Sequence, residues 1–119
     1  MVSAEHTLMV FFEALNTRDL VKMGNLLNSH AEFYFPKTQP LIGKDRILRF
    51  FNILFRQYPE LSFEIQRIIH QENKAAVHWT NRGISRRKEP YQNEGATILE
   101  FKGGKINFIS DFFKDTEKF

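Results

Sequence analysis

The residues around one aspartate of this sequence favour a carboxyl group with a raised pKa. In the stretch KINFISDFF, Asp111 alternates with Ile109 and Phe113, so the three side chains are expected on one face of a strand. Burial among apolar neighbours disfavours the ionised form, and we therefore expect the pKa of Asp111 to exceed the usual ~3.9. Such a carboxyl group is suited to proton transfer. A cation close by, for which Arg67 is the candidate, would instead lower the pKa and make Asp111 half of an ion pair.

Polar groups on apolar strand faces are the next candidates. In AAVHWTNRG, the side chains of Val77, Trp79 and Asn81 share a face, and core packing alone can explain the Trp. A buried amide must find a hydrogen-bond partner, so Asn81 is expected to contact either the carboxyl group described above or a ligand. The hydroxyl group of Thr97 could donate to a ligand carbonyl, although β-branched residues are common in strands for packing reasons alone. The hydroxyl group of Tyr58, at a predicted helix end, either reaches a pocket mouth or stays at the surface.

Metal and cofactor chemistry is not indicated by the residue types. The chain has no cysteine, which excludes a disulfide, a thiolate nucleophile and a cysteine-ligated zinc ion. The four histidines lie on different predicted elements without a metal-binding spacing, although His70 and His78 could face each other across a hairpin. We therefore expect no metal and no cofactor.

Neither a membrane nor a nucleic acid is indicated as a partner. The first residues, MVSAEHTLMVFFEAL, lack a basic region and mix polar with apolar residues, so we expect neither a signal peptide nor a membrane span. The basic cluster of Arg82, Arg86, Arg87 and Lys88 lacks interleaved aromatic residues and is expected to be a solvated loop. The absence of cysteine fits a cytoplasmic location, which we expect for this protein.

The spacing of apolar residues predicts helices first and strands later. Helical stripes run over residues 8–15 and 20–27, and a third helix is predicted from about Lys44 to Tyr58. A short strand, AEFYF, precedes the third helix, and four longer segments from residue 61 onward alternate with a period of two. Gly103-Gly104 is typical of a hairpin between the last two strands. This order predicts one α+β domain over residues 1–119.

The order and spacing of these segments resemble the ketosteroid isomerase and SnoaL-like superfamily, whose cone-shaped fold is shared with nuclear transport factor two. The resemblance extends from about Glu5 to Asp115 through FFEALNTRDL, AEFYF, PLIGKDRILRFF, YPELSFEIQRI, AAVHWTNRG and EGATILEFKGGKINFISDFF. It implies a curved antiparallel sheet, four long strands plus a short one, packed on three helices to form a cone with an apolar pocket. Because this fold serves isomerases, cyclases, hydrolases, dehydratases and binding proteins, it does not by itself define an activity.

The residues of ketosteroid isomerase chemistry are missing at the matching positions. The family's Asp base before a proline corresponds to Phe35, its first-helix Tyr to Phe11, and its protonated Asp on the penultimate strand to Thr97. Each replacement removes an ionisable group. Steroid isomerisation by that mechanism is therefore not expected.

The SnoaL-like polyketide cyclases are similar at a different position. They carry an acid/base Asp near the end of the last strand, in a stretch like ISDFF, and Asp111 matches it. The resemblance implies that Asp111 transfers a proton on an apolar carbonyl-type substrate, in a cofactor-independent reaction of the isomerase, cyclase or hydrolase/dehydratase type. The expected pocket residues are Phe11, Phe35, Phe55, Tyr58, Phe63, Val77, Trp79, Asn81, Thr97, Leu99, Ile109 and Phe113.

A protein without catalytic activity is the alternative. Three polar family positions are occupied by Phe11, Phe35 and Thr97, so phenylalanine side chains could fill the cone of a non-catalytic ligand-binding or protein-interaction module. A cavity of ~300 Å³ or more with Asp111 on its wall would favour catalysis, or binding of a small apolar or amphipathic ligand. A filled cone would favour the interaction module.

The sheet face turned away from the cone is predicted to form a homodimer. On the assigned register this face carries Ile98, Ile106, Phe108 and Phe112, joined by Ala76, Ala96 and His78. Soluble proteins usually cover an apolar patch of this kind, most often in a two-fold dimer. The resemblance implies the same, because the family frequently associates through this face.

Overall fold

Three α-helices and a six-stranded sheet form the part of the chain that the structure, a computed structural model, describes, which is residues 3–118. The helices are α1 (Ala4–Thr17), α2 (Leu20–Leu26) and α3 (Lys44–Gln57). The strands are β1 (Leu27–Tyr34), β2 (Leu41–Ile42), β3 (Glu60–Gln71), β4 (Lys74–Ile84), β5 (Pro90–Lys102) and β6 (Lys105–Phe113). A single 3-10 turn, Thr116–Lys118, follows β6.

Arg18 ends α1 and fixes it to the end of α3. The residue adopts a left-handed conformation with φ of 62°, which stops the helix. Its guanidinium group donates hydrogen bonds to the backbone carbonyl groups of Phe55 (2.8 Å) and Tyr58, where α3 leaves carbonyl groups without helical partners. The same group lies 5.1 Å from the centre of the Phe55 ring. These contacts hold α1 and α3 together over the sheet.

The predicted α+β fold class is confirmed, and the sheet is mixed. The strand order is β2-β1-β6-β5-β4-β3, in which β1 runs parallel to β6 and all other pairs are antiparallel. The two-residue strand β2 was not predicted. Hairpin connections make consecutive strands antiparallel, whereas β1 meets β6 only after the whole chain between them has folded back. Among residues 3–118 no helix is long and apolar enough to cross a membrane.

A bulge in the last hairpin changes which residues lie on the outer face of the sheet, so the prediction for this face is partly wrong. The register of β5 and β6 changes between Glu100, which pairs with Phe108, and Phe101, which pairs with Ile106. One extra residue on β6, Asn107, therefore separates the two pairs and reverses the face of every residue before it. Ile106 was predicted to point outward, but it is 0% exposed and lies in the core. Of the remaining predicted outer-face residues, Phe112 is 59% exposed.

Candidate functional site

A small cavity lies between the inner face of the sheet and the helices α1 and α3. Its volume is about 30 Å³, room for one or two water molecules. Its polar groups come from Tyr58, Asn81, Tyr91, Thr97 and Asp111, and its apolar wall from Phe11, Phe12, Leu15, Phe35, Phe51, Leu54, Leu61, Phe63, Ile109 and Phe113. Phenylalanine rings fill most of the cone, so the cavity is about ten times smaller than a ~300 Å³ ligand pocket.

Asp111 accepts a hydrogen bond from Thr97, which in turn accepts one from the buried Trp79. Nε1 of Trp79 donates to Oγ1 of Thr97 at 2.8 Å, and the Thr97 hydroxyl donates to Oδ1 of Asp111 at 2.6 Å. An indole N–H can only donate, so the Thr97 oxygen accepts from it and its single hydrogen is directed at the carboxyl group. A proton on Asp111 therefore sits on Oδ2, the oxygen that Thr97 does not contact.

Burial raises the pKa of Asp111 to about 7, and the hydrogen bond from Thr97 opposes only part of this rise. Near neutral pH both the acid and its conjugate base are therefore present, which is the condition that general acid/base catalysis favours. Arg67 does not act on this carboxyl group. Its side chain is exposed and lies opposite His78 on β4, and within residues 3–118 no ion pair joins it to Asp111.

Gly95 provides the space in which the Trp79 indole lies. The two residues are register partners on β5 and β4. A Cβ atom at Gly95 would lie 2.9 Å from two indole atoms and 2.3 Å from a backbone oxygen of β6. The rings of Phe63 and Phe113 pack edge-on against the indole, with centroid distances of 5.1 and 5.0 Å. The indole is therefore fixed with its N–H directed at Thr97.

Asn81 and Tyr91 form a second polar group on the cavity wall. Asn81 is 5% exposed, and within the described residues its Oδ1 has no hydrogen-bond partner. Burial raises the pKa of Tyr91, and hydrogen bonds from the side chains of Asn93 and Asn81 oppose part of the rise. Among residues 3–118, the amide oxygen of Asn81 is thus a buried acceptor without a partner on the same cavity wall as the Tyr91 hydroxyl.

Three side chains lie between the cavity and one of the neighbouring surface grooves. Phe35, Leu54 and Tyr58 line both the cavity and a neighbouring surface groove of about 370 Å³. All three are only partly buried, in contrast to the fully enclosed core residues. They form what we call the mouth of the cone. Movement of their side chains would join the cavity to the groove.

The structure brings most of the predicted pocket residues to the cavity, but not all of them. Those on its wall are Phe11, Phe35, Tyr58, Phe63, Asn81, Thr97, Ile109 and Phe113, together with Asp111. Four others, Phe55, Val77, Trp79 and Leu99, lie in the core outside the cavity wall. Sequence reasoning missed Phe12, Leu15, Phe51, Leu54 and Tyr91, whereas Leu61, expected on the cavity-facing side of its strand, lies on the wall. Helical spacing marked the first four as core, and Tyr91 shares its strand face with Asn93 and Thr97, a signal that was available from the alternation.

The histidines do not assemble a metal site. His70 and His78 do not face each other across the hairpin, because the register places His70 opposite Ala75. His78 instead forms a hydrogen bond of 2.6 Å with Glu94 on the outer face of the sheet. Within residues 3–118 no group of three or more metal-ligating side chains is placed to hold an ion.

The fold and this site define a cone-shaped α+β protein in which a carboxyl group with a raised pKa lies on the wall of a small aromatic cavity. Residues 10–109 match the sequence model of the SnoaL-like domain, and the chain therefore belongs to the SnoaL-like family. Curated proteins give no match to this sequence.

Solved structures with low sequence identity share the fold. An NTF2-like protein of unknown function from Burkholderia pseudomallei K96243 has a TM-score of 0.90 at 18% identity, over 99% of this chain and 95% of that one. A putative SnoaL-like polyketide cyclase from Jannaschia sp. CCS1 has a TM-score of 0.84 at 13% identity, over 93% and 85%. TerC, co-crystallised with polyporic acid, has a TM-score of 0.87 at 16% identity, over 97% and 93%.

Proposed function

We propose that this protein binds a small apolar carbonyl compound in its cone and transfers a proton to or from it through Asp111. The observation that carries the proposal is the carboxyl group itself. It lies on the wall of an aromatic cavity, its pKa is about 7, and Thr97 fixes one of its oxygens. A structural carboxylate is normally paired or exposed to water, whereas Asp111 is only partly exposed and pairs with no cation among residues 3–118.

The chemistry follows from which oxygen is free. In the ionised form, Oδ2 of Asp111 accepts a proton from the carbon next to the substrate carbonyl, and the C–H electron pair moves into the enolate that forms. The protonated Asp111 then returns this proton to a different carbon in an isomerisation, or to an oxygen formed by ring closure in a cyclisation. The hydrogen bond from Thr97 to Oδ1 is compatible with both states, because Oδ1 can accept it whether or not Oδ2 carries a proton.

Binding requires the mouth of the cone to open. The cavity of about 30 Å³ cannot hold a carbonyl compound larger than a few atoms, but the groove of about 370 Å³ lies directly beyond Phe35, Leu54 and Tyr58. Side-chain rotation at partly exposed aromatic residues is fast and needs no change in the backbone. The proposal is also supported by two proteins of the same fold, one described as a putative polyketide cyclase and one crystallised with polyporic acid.

The small volume of the cavity favours a second candidate function. A cone that remains filled by its own phenylalanine side chains would make this chain an interaction module without catalytic activity. The rings of Phe35 and Phe113, with centroids 5.1 Å apart, would then be permanent core rather than a pocket wall.

A deuterium-exchange experiment separates the two functions. 1-Tetralone, an apolar bicyclic ketone, is incubated in D₂O with the wild type, Asp111→Asn and Asp45→Asn, and loss of its C2 proton signals is followed by NMR. Asp45 is an exposed carboxylate at the start of α3 and serves as the matched control. The proposal expects exchange with the wild type and the control, and a loss of about 100-fold or more in Asp111→Asn. Binding without exchange would overturn catalysis and leave a binding protein, and no binding would establish the filled cone.

A further inference from the structure

The amide of Asn81 is an unexplained polar group in an apolar cavity. Its residue is 5% exposed, and Oδ1 lacks a hydrogen-bond partner within residues 3–118. The other side chains of this wall are mainly aromatic and cannot accept or donate a strong hydrogen bond. A buried acceptor without a partner is unfavourable, so an atom that enters the cavity and donates a hydrogen bond would be bound there selectively.

Tyr91 supplies the complementary donor beside this acceptor. Its oxygen accepts a hydrogen bond from Nδ2 of Asn93 at 3.2 Å. Within the described part of the chain the Tyr91 hydroxyl accepts from Asn93 and donates to no protein acceptor, so its hydrogen can point into the cavity that Tyr91 lines. Asn81 therefore offers an acceptor and Tyr91 a donor to the same space. A hydroxyl group, which both donates and accepts, satisfies the pair.

The register places this pair well away from Asp111. Asn81 lies opposite Asn93, whereas Thr97, the partner of Asp111, lies opposite Val77. Asn81 and Val77 are four residues apart, so their backbone positions are separated by about 13 Å along β4. A ligand whose carbonyl group faces Asp111 therefore reaches the Asn81 amide only with its far end.

We propose that Asn81 and Tyr91 form a hydroxyl-binding subsite, which selects apolar carbonyl ligands that carry a hydroxyl group at the end remote from the carbonyl. This inference rests on the proposed function, because it assumes that the cone opens to a carbonyl ligand. It assigns Asn81 and Tyr91 a role in specificity, separate from the proton transfer at Asp111.

The test compares three probes of nearly equal shape: 1-tetralone, 6-methoxy-1-tetralone and 6-hydroxy-1-tetralone. Their affinities for the wild type and for Asn81→Leu are measured by ligand-observed NMR at pH 6, where the phenol is neutral. The wild type is expected to bind the hydroxy compound about tenfold more tightly than the methoxy compound. In Asn81→Leu, which keeps the approximate shape of the side chain without its polar atoms, the preference should disappear.

The outcomes distinguish the subsite from the proposed function. If the wild type binds 1-tetralone and the hydroxy compound equally well, or if Asn81→Leu keeps the preference, the subsite is overturned and the proposed function stands. If none of the three probes binds, both are overturned. Should Asn81→Leu fail to fold, Tyr91→Phe gives an independent test, because removal of the donor should also reduce the preference for the hydroxy compound.

Discussion

Asn81 and Asn93 lie directly opposite each other on β4 and β5, yet the two amide groups differ in their hydrogen bonding. The Asn93 side chain makes four hydrogen bonds, two donated to Tyr91 and Asp115 and two accepted from the backbone N–H groups of Glu94 and Asp115. The Asn81 amide oxygen has no partner among the described residues. The Asn93 amide therefore stabilises the fold, whereas the Asn81 amide leaves a hydrogen-bond acceptor on the cavity wall.

The same substitution at these two positions should have opposite effects on stability. Asn93→Leu removes four hydrogen bonds and should lower the free energy of unfolding by about 2 kcal/mol or more. Asn81→Leu removes an unpaired buried acceptor and should leave the stability unchanged or raise it by about 1 kcal/mol. Urea denaturation of both variants measures the difference. Equal losses would show that the Asn81 amide contributes to the fold as Asn93 does.

The raised pKa of Asp111 predicts a dependence of stability on pH. The folded state binds the Asp111 proton more tightly than the unfolded state, with a folded pKa of about 7 against an ordinary value of 3.8. This contribution to stability is therefore complete below pH 3.8 and is lost as the pH rises through 7, with a slope of up to about 1.4 kcal/mol per pH unit. Asp111→Asn lacks the titration, so its stability relative to the wild type should increase between pH 4 and 7 and then level off. A difference that does not vary with pH would contradict the raised pKa.

Thr97→Val should raise the pKa of Asp111 further. The hydrogen bond from the Thr97 hydroxyl lowers this pKa in the folded protein, and valine cannot donate. The variant should also lose about 1–3 kcal/mol of stability, because the Trp79 N–H is left without its partner. NMR titration of the Asp111 carboxyl carbon reports the first effect, and Thr97→Ser, which keeps the hydroxyl, is the control. An unchanged midpoint in Thr97→Val would show that the hydrogen bond does not form in solution.

Gly95→Ala should disrupt the position of Trp79. The added Cβ would lie 2.3 Å from a backbone oxygen of β6 and 2.9 Å from the indole, so either the strands or the ring must shift. We expect a loss of about 1–3 kcal/mol and a change in the fluorescence of the single Trp. Gly24→Ala in α2 is the matched control, because its Cβ would meet the flexible end of Leu48 at 3.1 Å and alanine favours the helix. Equal behaviour of the two variants would refute the packing argument.

A homodimer through the outer face of the sheet remains a proposal. The bulge removes Ile106 from this face, but Phe112 is 59% exposed there and Ile98 and Phe108 are partly buried. Phe112→Glu should shift a micromolar sample from dimer to monomer in sedimentation experiments, because a charge at the centre of an apolar interface is costly to bury. Val21→Glu on α2, which is 77% exposed, should leave the mass unchanged. A wild-type monomer at the same concentration would argue against the dimer.

The fold class and the surroundings of Asp111 could be predicted from the sequence because both depend on local periodicity. Helical spacing in residues 8–15 and alternation from residue 61 onward reflect which side of each element is buried. The same alternation places Asp111 between Ile109 and Phe113, so desolvation of its carboxyl group follows from the strand alone. The raised pKa of about 7 agrees in direction with this reasoning.

Only the tertiary structure decided what the carboxyl group contacts and how much space surrounds it. Trp79, Thr97 and Asp111 belong to three neighbouring strands, and their hydrogen bonds depend on a register that no single segment contains. Alternation also cannot reveal the bulge that turns Ile106 inward, because the extra residue changes the pairing and not the local pattern. The cavity of about 30 Å³ is the small remainder after many side chains have packed, so its size depends on all of them at once.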